Sequence, residues 1–178
     1  MKKLFSLALA LSLGAALFAQ EKKDVTLNIV PLPQHVQIKN GSFNINGNTK
    51  IVFDSDEDKK VAALFQDFLK SNYNLNLSLV KSVGKNSIYF SSKNANPSNK
   101  EAYGLNIASD QITVKGKEAG LFYGMQSLIQ LLPVDKKASI EIQQASIQDE
   151  PRFAYRGLHL DVGRHFFPVA FVKKYIDI

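Results

Sequence analysis

The chain has 178 residues, of which 45% are hydrophobic, and it carries a formal net charge of +6 at pH 7. That apolar content is enough for a packed core and excludes a globally disordered chain, and the length fits one domain with some remainder. Because the sequence contains no cysteine, disulfide bonds, thiolate metal sites and cysteine nucleophiles are excluded. The lysines are scattered rather than clustered with aromatic residues, so we expect no nucleic-acid partner.

Residues 1–19 have the form of a secretory signal peptide. Lys2 and Lys3 precede an apolar stretch over residues 4–18, and Ala19 offers a small residue for cleavage. About 15 apolar residues are short for a membrane span. We therefore predict an exported protein (periplasmic, at the outer surface or extracellular) with no stable membrane span after cleavage. A retained N-terminal anchor is the alternative.

Residues 24–150 predict an α+β domain built on a mixed or antiparallel sheet. Asn40 and Gly41 predict a turn, as do residues 46–48, so the start of the domain is expected to be rich in hairpins. Alternating apolar residues, the period of a half-buried strand, recur throughout. They lie at 25–29, 36–38, 43–45, 51–53, 75–79, 88–90, 103–107, 112–114 and 140–147.

Two amphipathic helices are predicted within this domain. Ser55 is a good N-cap, acidic residues follow it in the first turn, and apolar residues at helical spacing continue to about residue 71. A second apolar face runs over residues 121–132 and ends before Pro133. We expect both helices to cover one face of the sheet.

Residues 24–148 show no obvious catalytic constellation. Neither a glycine-rich phosphate loop nor a Gly-x-Ser-x-Gly elbow occurs. His35 stands alone between apolar residues, which is typical of a surface or hydrogen-bonded structural histidine. Gly120 and Gly124, four residues apart on the second helix, predict close packing on the sheet, with the approach of a ligand as the alternative.

Residues 151–178 have a different pattern. Leu158, Leu160 and Val162 alternate with polar residues, which predicts a half-buried strand. After Pro168, apolar residues at helical spacing predict a helix. A strand, a short loop and a helix form the first unit of a βα repeat, as in an α/β barrel.

Ionisable side chains crowd this stretch, and they are costly to bury unless they are paired or meet a ligand. His159, Asp161 and His165 could ligate a metal, but no further ligand is evident and we expect none to bind. Arg156 offers five fixed donors for carboxylates or sugar hydroxyls; the alternative is a structural pair with Asp161 or another acid. Asp161, Arg164 and His165 are interpreted as a supporting network.

Three stretches resemble one family. Residues 29–34 (Ile-Val-Pro-Leu-Pro-Gln), 118–132 (Glu-Ala-Gly-Leu-Phe-Tyr-Gly-Met-Gln-Ser-Leu-Ile-Gln-Leu-Leu) and 151–168 (Pro-Arg-Phe-Ala-Tyr-Arg-Gly-Leu-His-Leu-Asp-Val-Gly-Arg-His-Phe-Phe-Pro) occur in the family's order. Through these three stretches, the chain resembles the N-terminal part of a glycoside hydrolase family 20 β-N-acetylhexosaminidase. The resemblance implies an accessory non-catalytic α/β domain over residues 24–150 and the start of a catalytic barrel over residues 151–178.

The resemblance also implies a reaction. The family removes terminal non-reducing N-acetylglucosamine or N-acetylgalactosamine from glycans with retention of configuration and without a cofactor. The acetamido oxygen of the substrate attacks the anomeric carbon and gives an oxazolinium intermediate, while a Glu is the acid/base and the preceding Asp orients the acetamido group. Since the nucleophile is already tethered, the protein mainly orients the substrate and stabilises charge.

Family roles transfer to few residues of this chain. Arg156 matches the arginine that binds ring hydroxyls of the terminal sugar, and Asp161, Arg164 and His165 match a signature to which we assign support. Gly163 stands where many relatives carry Ser or Thr.

The catalytic Asp–Glu pair of the family lies on a later barrel strand, and no Asp–Glu pair follows Arg156 here. Asp149–Glu150 and Asp56–Glu57 are adjacent acids in a linker and at a helix start, so neither pair is assigned the role. One strand and one partial helix cannot close an eight-stranded barrel, so we expect a truncated portion that is inactive alone. The alternatives are a non-enzymatic secreted module that binds glycans or a protein, and a different barrel hydrolase sharing the accessory domain.

Overall fold

The computed structural model describes residues 27–82, 84–96, 98–135 and 139–177. The predicted signal peptide and the first strand position, Val25, lie outside these residues. Within the described residues the structure forms a sheet and three helices. The helices are α1 (Asp56–Tyr73), α2 (Ala119–Gln130) and α3 (Val169–Ile176). The strands are β1 (His35–Ile45), β2 (Lys50–Phe53), β3 (Ser78–Val80), β4 (Ser87–Ser91), β5 (Tyr103–Ile107), β6 (Gln111–Gly116) and β7 (Ile140–Asp149).

The sheet is mixed, as the sequence predicts. Its strand order is β1-β7-β5-β6-β4-β2-β3. The pairs β1–β7, β7–β5 and β5–β6 are antiparallel. The pairs β6–β4, β4–β2 and β2–β3 are parallel. The predicted strands over residues 103–107 and 112–114 are confirmed as β5 and β6, which pair antiparallel and are joined by a turn at Ser109 and Asp110.

Both long helices cover the same face of the sheet, which confirms the predicted layering. Ser55 caps α1 with a capping box, because its hydroxyl accepts from the Asp58 N–H while the Asp58 carboxylate accepts from the Ser55 N–H. Ala62, Phe65 and Leu69 of α1 are fully buried, whereas Leu64 at the margin of the apolar stripe is 52% exposed. The Phe65 ring lies 5.6 Å from that of Phe90 on β4. The core therefore fills the space between the helices and the sheet.

The glycines of α2 allow close packing and confirm that interpretation over ligand approach. A Cβ added at Gly120 would lie 2.2 Å from the backbone oxygen of Ala102. One added at Gly124 would lie 2.7 Å from Val114 Cγ1 and 3.1 Å from Tyr103 Cδ2. At both positions, the sheet and the segment leading into it occupy the space that a side chain would need, so the backbone of α2 packs directly against them.

The predicted hairpin-rich start is wrong. His35–Ile45 is one strand, and Asn40 and Gly41 lie at a register shift in its pairing with β7, where Gly41 has a φ of 100°. β1 and β2 do not pair with each other: β1 is at one edge of the sheet and β2 is next to the opposite edge. Pairing with β7, about 100 residues downstream, overrides the local turn signal.

Two further predicted strands are shorter or absent. Residues 27–29 are irregular, and of residues 75–79 only the last two belong to β3. Leu75 and Leu77 are nevertheless buried in the core, because an irregular segment can also place alternate side chains inward.

The predicted barrel strand over residues 158–162 is also not formed. The segment is irregular, and the Leu158 side chain is 86% exposed. A strand requires a neighbouring strand for its N–H and C=O groups, and none of the described residues pairs with this segment. The predicted helix after Pro168 is present as α3, but none of its residues is buried. The described part of the chain holds no helix with the length and apolar content that crossing a membrane requires.

Candidate functional site

Arg156, the predicted sugar-binding residue, lies in the segment after β7, next to α2 and to the residues that precede β5. Its guanidinium donates to Glu101 Oε1 and to the backbone carbonyl of Phe153. Tyr123 of α2 donates to the same Glu101 oxygen at 3.2 Å. The Glu101 carboxylate, and to a smaller degree the Tyr123 hydroxyl, raises the pKa of the Arg156 guanidinium. About 41% of the arginine side chain stays exposed, so part of its donor set faces solvent.

The Glu101 contact was not predictable from local sequence. Glu101 precedes β5 and is separated from Arg156 by 55 residues. The sequence analysis left open whether Arg156 pairs with Asp161 or with another acid. In the structure it pairs with another acid, Glu101. Asp161 instead binds Arg164.

A cavity of about 450 Å³ lies beside Arg156. Its apolar wall is formed by Ile29, Val30, Pro31 and Leu32, and its other wall by α2 and the segment that follows β7. Such a concave, mostly apolar space with a few polar groups is the usual form of a ligand or docking site.

A buried hydrogen-bond network forms part of the cavity lining. The Tyr103 hydroxyl lies 2.6 Å from Ser127 Oγ and 3.3 Å from Asp149 Oδ2. Burial raises the pKa of Tyr103 to about 12, and the Asp149 charge adds to that rise. The phenol therefore stays protonated at physiological pH and donates a hydrogen bond to Asp149.

Side-chain amides fix the apolar wall in place. Gln130 of α2 accepts from the Val30 N–H at 2.8 Å and donates to the Val30 carbonyl at 3.1 Å, as a neighbouring strand would. Gln34 donates its N–H to Asp149 Oδ1 at 3.1 Å and its side-chain amide to the Glu150 carbonyl at 2.8 Å. These contacts hold the segment before β1 next to the segment after β7.

Asp161, Arg164 and His165 form a local turn. The Asp161 carboxylate accepts from the backbone N–H of Gly163 at 2.9 Å and of Arg164 at 3.1 Å, and it forms an ion pair with Arg164 Nε at 3.1 Å. The His165 ring lies 6.5 Å from that of Phe167. The carboxylate thus orders the backbone before α3, and the three residues do not meet Arg156.

The adjacent acids make structural contacts. Asp149 accepts from Tyr103 and Gln34, as described above, and Glu150 accepts from Asn99 at 2.6 Å. Asp58 and its neighbours belong to the first turn of α1. Across the described ranges, no group of three or more His, Asp or Glu side chains is arranged to hold a metal ion.

Comparison with known families matches the two parts of the chain separately. The description "Glycosyl hydrolase family 20, domain 2" fits residues 26–150, and "Glycosyl hydrolase family 20, catalytic domain" fits residues 153–178. The two matched regions meet next to the cavity beside Arg156.

Similar proteins agree with this match. A beta-hexosaminidase of Porphyromonas gingivalis is 38% identical over 166 residues, which cover 87% of this chain and 21% of the relative. A beta-hexosaminidase of Vibrio vulnificus is 35% identical over 154 residues, covering 86% of this chain and 17% of the relative. The chain thus spans about a fifth of the length of these relatives.

Solved structures carry the same fold. The GH20 beta-N-acetylhexosaminidase of Streptomyces coelicolor A3(2) superposes with a TM-score of 0.72 at 33% identity, covering 86% of this chain and 32% of that chain. The GH20 exo beta-N-acetylglucosaminidase of Vibrio harveyi, solved with N-acetylglucosamine, gives a TM-score of 0.68 at 29% identity, covering 89% and 25%.

The matched class is that of the glycoside hydrolases. Within that class the chain belongs to glycosyl hydrolase family 20, whose members are beta-hexosaminidases.

Proposed function

We propose that this chain is the N-terminal part of an exported β-N-acetylhexosaminidase. The observation that carries the proposal is the succession of two family 20 regions, residues 26–150 and 153–178, in one chain. The relatives in which these regions recur are several times longer than 178 residues. We assign residues 24–150 to an accessory domain and residues 151–178 to the start of the catalytic barrel.

The proposed reaction is substrate-assisted and retaining. The acetamido oxygen of a terminal N-acetylhexosamine attacks the anomeric carbon, the glycosidic C–O bond breaks, and the leaving oxygen takes a proton from a general acid. Water then attacks the anomeric carbon from the opposite face and gives its proton to the conjugate base of that general acid. The bond between the anomeric carbon and the acetamido oxygen breaks, which restores the original configuration. No cofactor takes part.

Arg156 is the residue of this chain to which we assign sugar binding. Its guanidinium presents parallel donors suited to two adjacent hydroxyls of the terminal ring. We assign Asp161, Arg164 and His165 a supporting role in the turn before α3, which Asp161 orders through its bonds to Gly163 and Arg164 and which does not contact Arg156. We expect the catalytic Asp–Glu pair outside the 178 residues, because no Asp–Glu pair follows Arg156 and because Asp149 and Glu150 are engaged in structural contacts. We therefore expect the isolated chain to be inactive.

Activity of the full-length protein tests this proposal. We expect it to release nitrophenol from 4-nitrophenyl N-acetyl-β-D-glucosaminide. Arg156→Ala should lower kcat/KM on the order of 100-fold, since charge-assisted hydrogen bonds to the sugar are lost. Arg152→Ala is the matched control. Among the described residues, the hydrogen bond of Arg152 is a long one of 3.4 Å to the Leu32 carbonyl, so the variant should stay within about threefold of wild type.

The outcomes separate the two parts of the proposal. An inactive wild-type protein would refute the enzyme assignment. An active protein in which both arginine variants behave alike would refute only the role of Arg156. Export is tested by mass spectrometry of the mature protein, which should begin near residue 20.

A non-enzymatic secreted module that binds glycans or a protein is the second candidate. The exposed apolar residues Val169, Phe171 and Ile176 of α3 speak against it, because an amphipathic helix at the end of a free-standing module would have no layer to pack on. Solubility separates the two: residues 20–178 should be less soluble than residues 20–150. Equal solubility favours the module.

A further inference from the structure

The face of the sheet opposite α1 and α2 carries polar side chains in cross-strand rows. In one row, paired positions run from β4 to β1 through Ser91, Lys115, Gly104, Gln148 and His35. Five strands spaced about 4.8 Å apart make such a row roughly 19 Å long. We call this row and the parallel one beside it the open-face groove.

The second row of the open-face groove is neutral and polar. It runs through Thr113, Asn106, Ser146 and Gln37 on β6, β5, β7 and β1. Depressions of about 320, 260 and 390 Å³ adjoin one another along the two rows, and all three are lined by Gln148. The face is therefore concave across several strands.

Gly104 forms the floor of the groove between Lys115 and Gln148. The fold does not require a glycine there. Its φ lies outside the left-handed region, its pairing with both neighbours is regular, and an added Cβ would come no closer than 4.0 Å to another residue, at Ile147 O. Glycine in the middle of a central strand lowers stability, and it often marks the close approach of a ligand.

The hydrogen-bonding groups of the groove are partly unused. Among the described residues, the side chains of Gln37, Ser146 and Gln148 have no hydrogen-bond partner, whereas Asn106 Oδ1 accepts from Lys39 Nζ at 3.0 Å. Amide and hydroxyl groups are matched to the hydroxyl and acetamido groups of a sugar chain. The two rows themselves carry no carboxylate, but Asp149 and Glu150 line the depression of about 320 Å³. Lys115 and Lys39 add positive charge beside them. Charges of both signs in small number suit an uncharged ligand better than a nucleic acid or an acidic protein.

We propose that the open-face groove binds an extended, uncharged oligosaccharide as a second glycan site. A sugar chain crosses the strands over Gly104, where the missing side chain lets a pyranose ring approach the backbone, and the flanking amides bind its polar groups. Binding of oligosaccharides across a sheet face is known in other folds. The choice of N-acetylhexosamine polymers as the ligand class rests on the proposed function.

The test is Gly104→Thr in the full-length protein. Threonine favours strands, so the variant should fold with an unchanged or higher Tm while its side chain fills the floor of the groove. Retention on an insoluble polymer of β-1,4-linked N-acetylglucosamine is measured with saturating free N-acetylglucosamine present to occupy the catalytic site. We expect the affinity of Gly104→Thr for the polymer to fall about tenfold through loss of a few hydrogen bonds.

Gly47→Thr is the matched control, because Gly47 lies in the turn between β1 and β2 and a Cβ there meets nothing within 4 Å. It should bind the polymer like wild type. Gln148→Ala, which removes an amide without adding bulk, should weaken retention about threefold to tenfold and covers the case in which Gly104→Thr misfolds. Turnover of the small nitrophenyl substrate should be the same in all variants.

Two results would refute glycan binding in the open-face groove. One is equal polymer retention by wild type, Gly104→Thr and Gln148→Ala, and the other is no retention of wild type once the catalytic site is occupied. Loss of retention in Gly104→Thr with no turnover of the small substrate by any protein supports the groove and refutes the hydrolase assignment. The two proposals therefore fail separately.

Discussion

The region from β1 to β7 and the segment after it are both apolar in pattern, yet they differ in burial. The buried hydrophobic residues lie between Ile29 and Ile147, whereas none of the described residues from 151 to 177 is buried. Helix α1 places Ala62, Phe65 and Leu69 against the sheet, but α3 has no second layer. An amphipathic sequence thus determines that a helix forms, while burial depends on a partner surface.

Within the exposed segment, aromatic side chains contact one another locally. The Phe167 and Phe171 rings stack at 4.7 Å, yet Phe166 is 89% exposed. Because local stacking covers little area, the segment is expected to contribute little to the free energy of unfolding.

Phenylalanine truncation should give the largest difference between the two regions. Phe90→Ala removes a fully buried ring that packs on Phe65 and should lower the free energy of unfolding by about 3–5 kcal/mol. Phe166→Ala should change it by less than about 0.5 kcal/mol. Urea unfolding of the two variants measures this, and similar losses would show that the segment after β7 is packed in solution.

Adding one methyl group to a glycine should sharpen the same contrast. Gly120→Ala places a Cβ 2.2 Å from the Ala102 carbonyl oxygen, so the backbone must shift, at a cost of about 1–3 kcal/mol. At Gly163 the nearest atom would be Asp161 Oδ1 at 3.5 Å, an ordinary contact. Gly163→Ala should therefore leave the thermal midpoint unchanged, and a loss equal to that of Gly120→Ala would contradict the packing described for α2.

Alkaline pH should act on the packed region through Tyr103. The folded-state pKa of about 12 exceeds the ordinary value of 10.0, so the unfolded chain loses its phenol proton first. Stability from this group is complete below pH 10 and is lost as the pH rises towards 12, by roughly 2 kcal/mol. Tyr103→Phe should flatten this part of the stability curve, while the exposed control Tyr155→Phe should keep the wild-type slope.

The N-cap of α1 should have the smallest effect. Ser55→Ala removes the bond to the Asp58 N–H and should cost about 1 kcal/mol. Ser55→Asp retains an acceptor and should recover most of that stability. If alanine and aspartate prove equal in urea unfolding, the capping box does not stabilise the helix.

Local sequence patterns were sufficient for the elements whose signals are local. Neighbouring residues alone predicted the Ser55 N-cap and apolar stripe of α1, the apolar face of α2 and the alternating strands β5 and β6. The turn signal at Asn40 and Gly41 misled, because the pairing of β1 is decided by β7. The strand over residues 158–162 failed for the related reason that an alternating pattern does not supply a neighbouring strand.

The candidate site shows the same division. Arg156 could be singled out from its residue type and motif, and the turn at Asp161 from the crowding of polar groups. The partners Glu101 and Tyr123 could not, because tertiary contact joins them to Arg156 across distant parts of the chain. The position of Gly104 in the floor of the groove could not be predicted either, because it depends on which strands flank β5.

The pairing of the first strand with the last has a consequence for how the α/β unit can be inherited. His35 at the start of β1 lies opposite Gln148 near the end of β7, so the chain enters and leaves the unit at neighbouring points. Gln34 further ties the point of entrance to Asp149 and Glu150. A gene rearrangement that inserts, removes or exchanges this unit therefore changes the separation of the flanking segments by little, which makes the unit a transferable cassette.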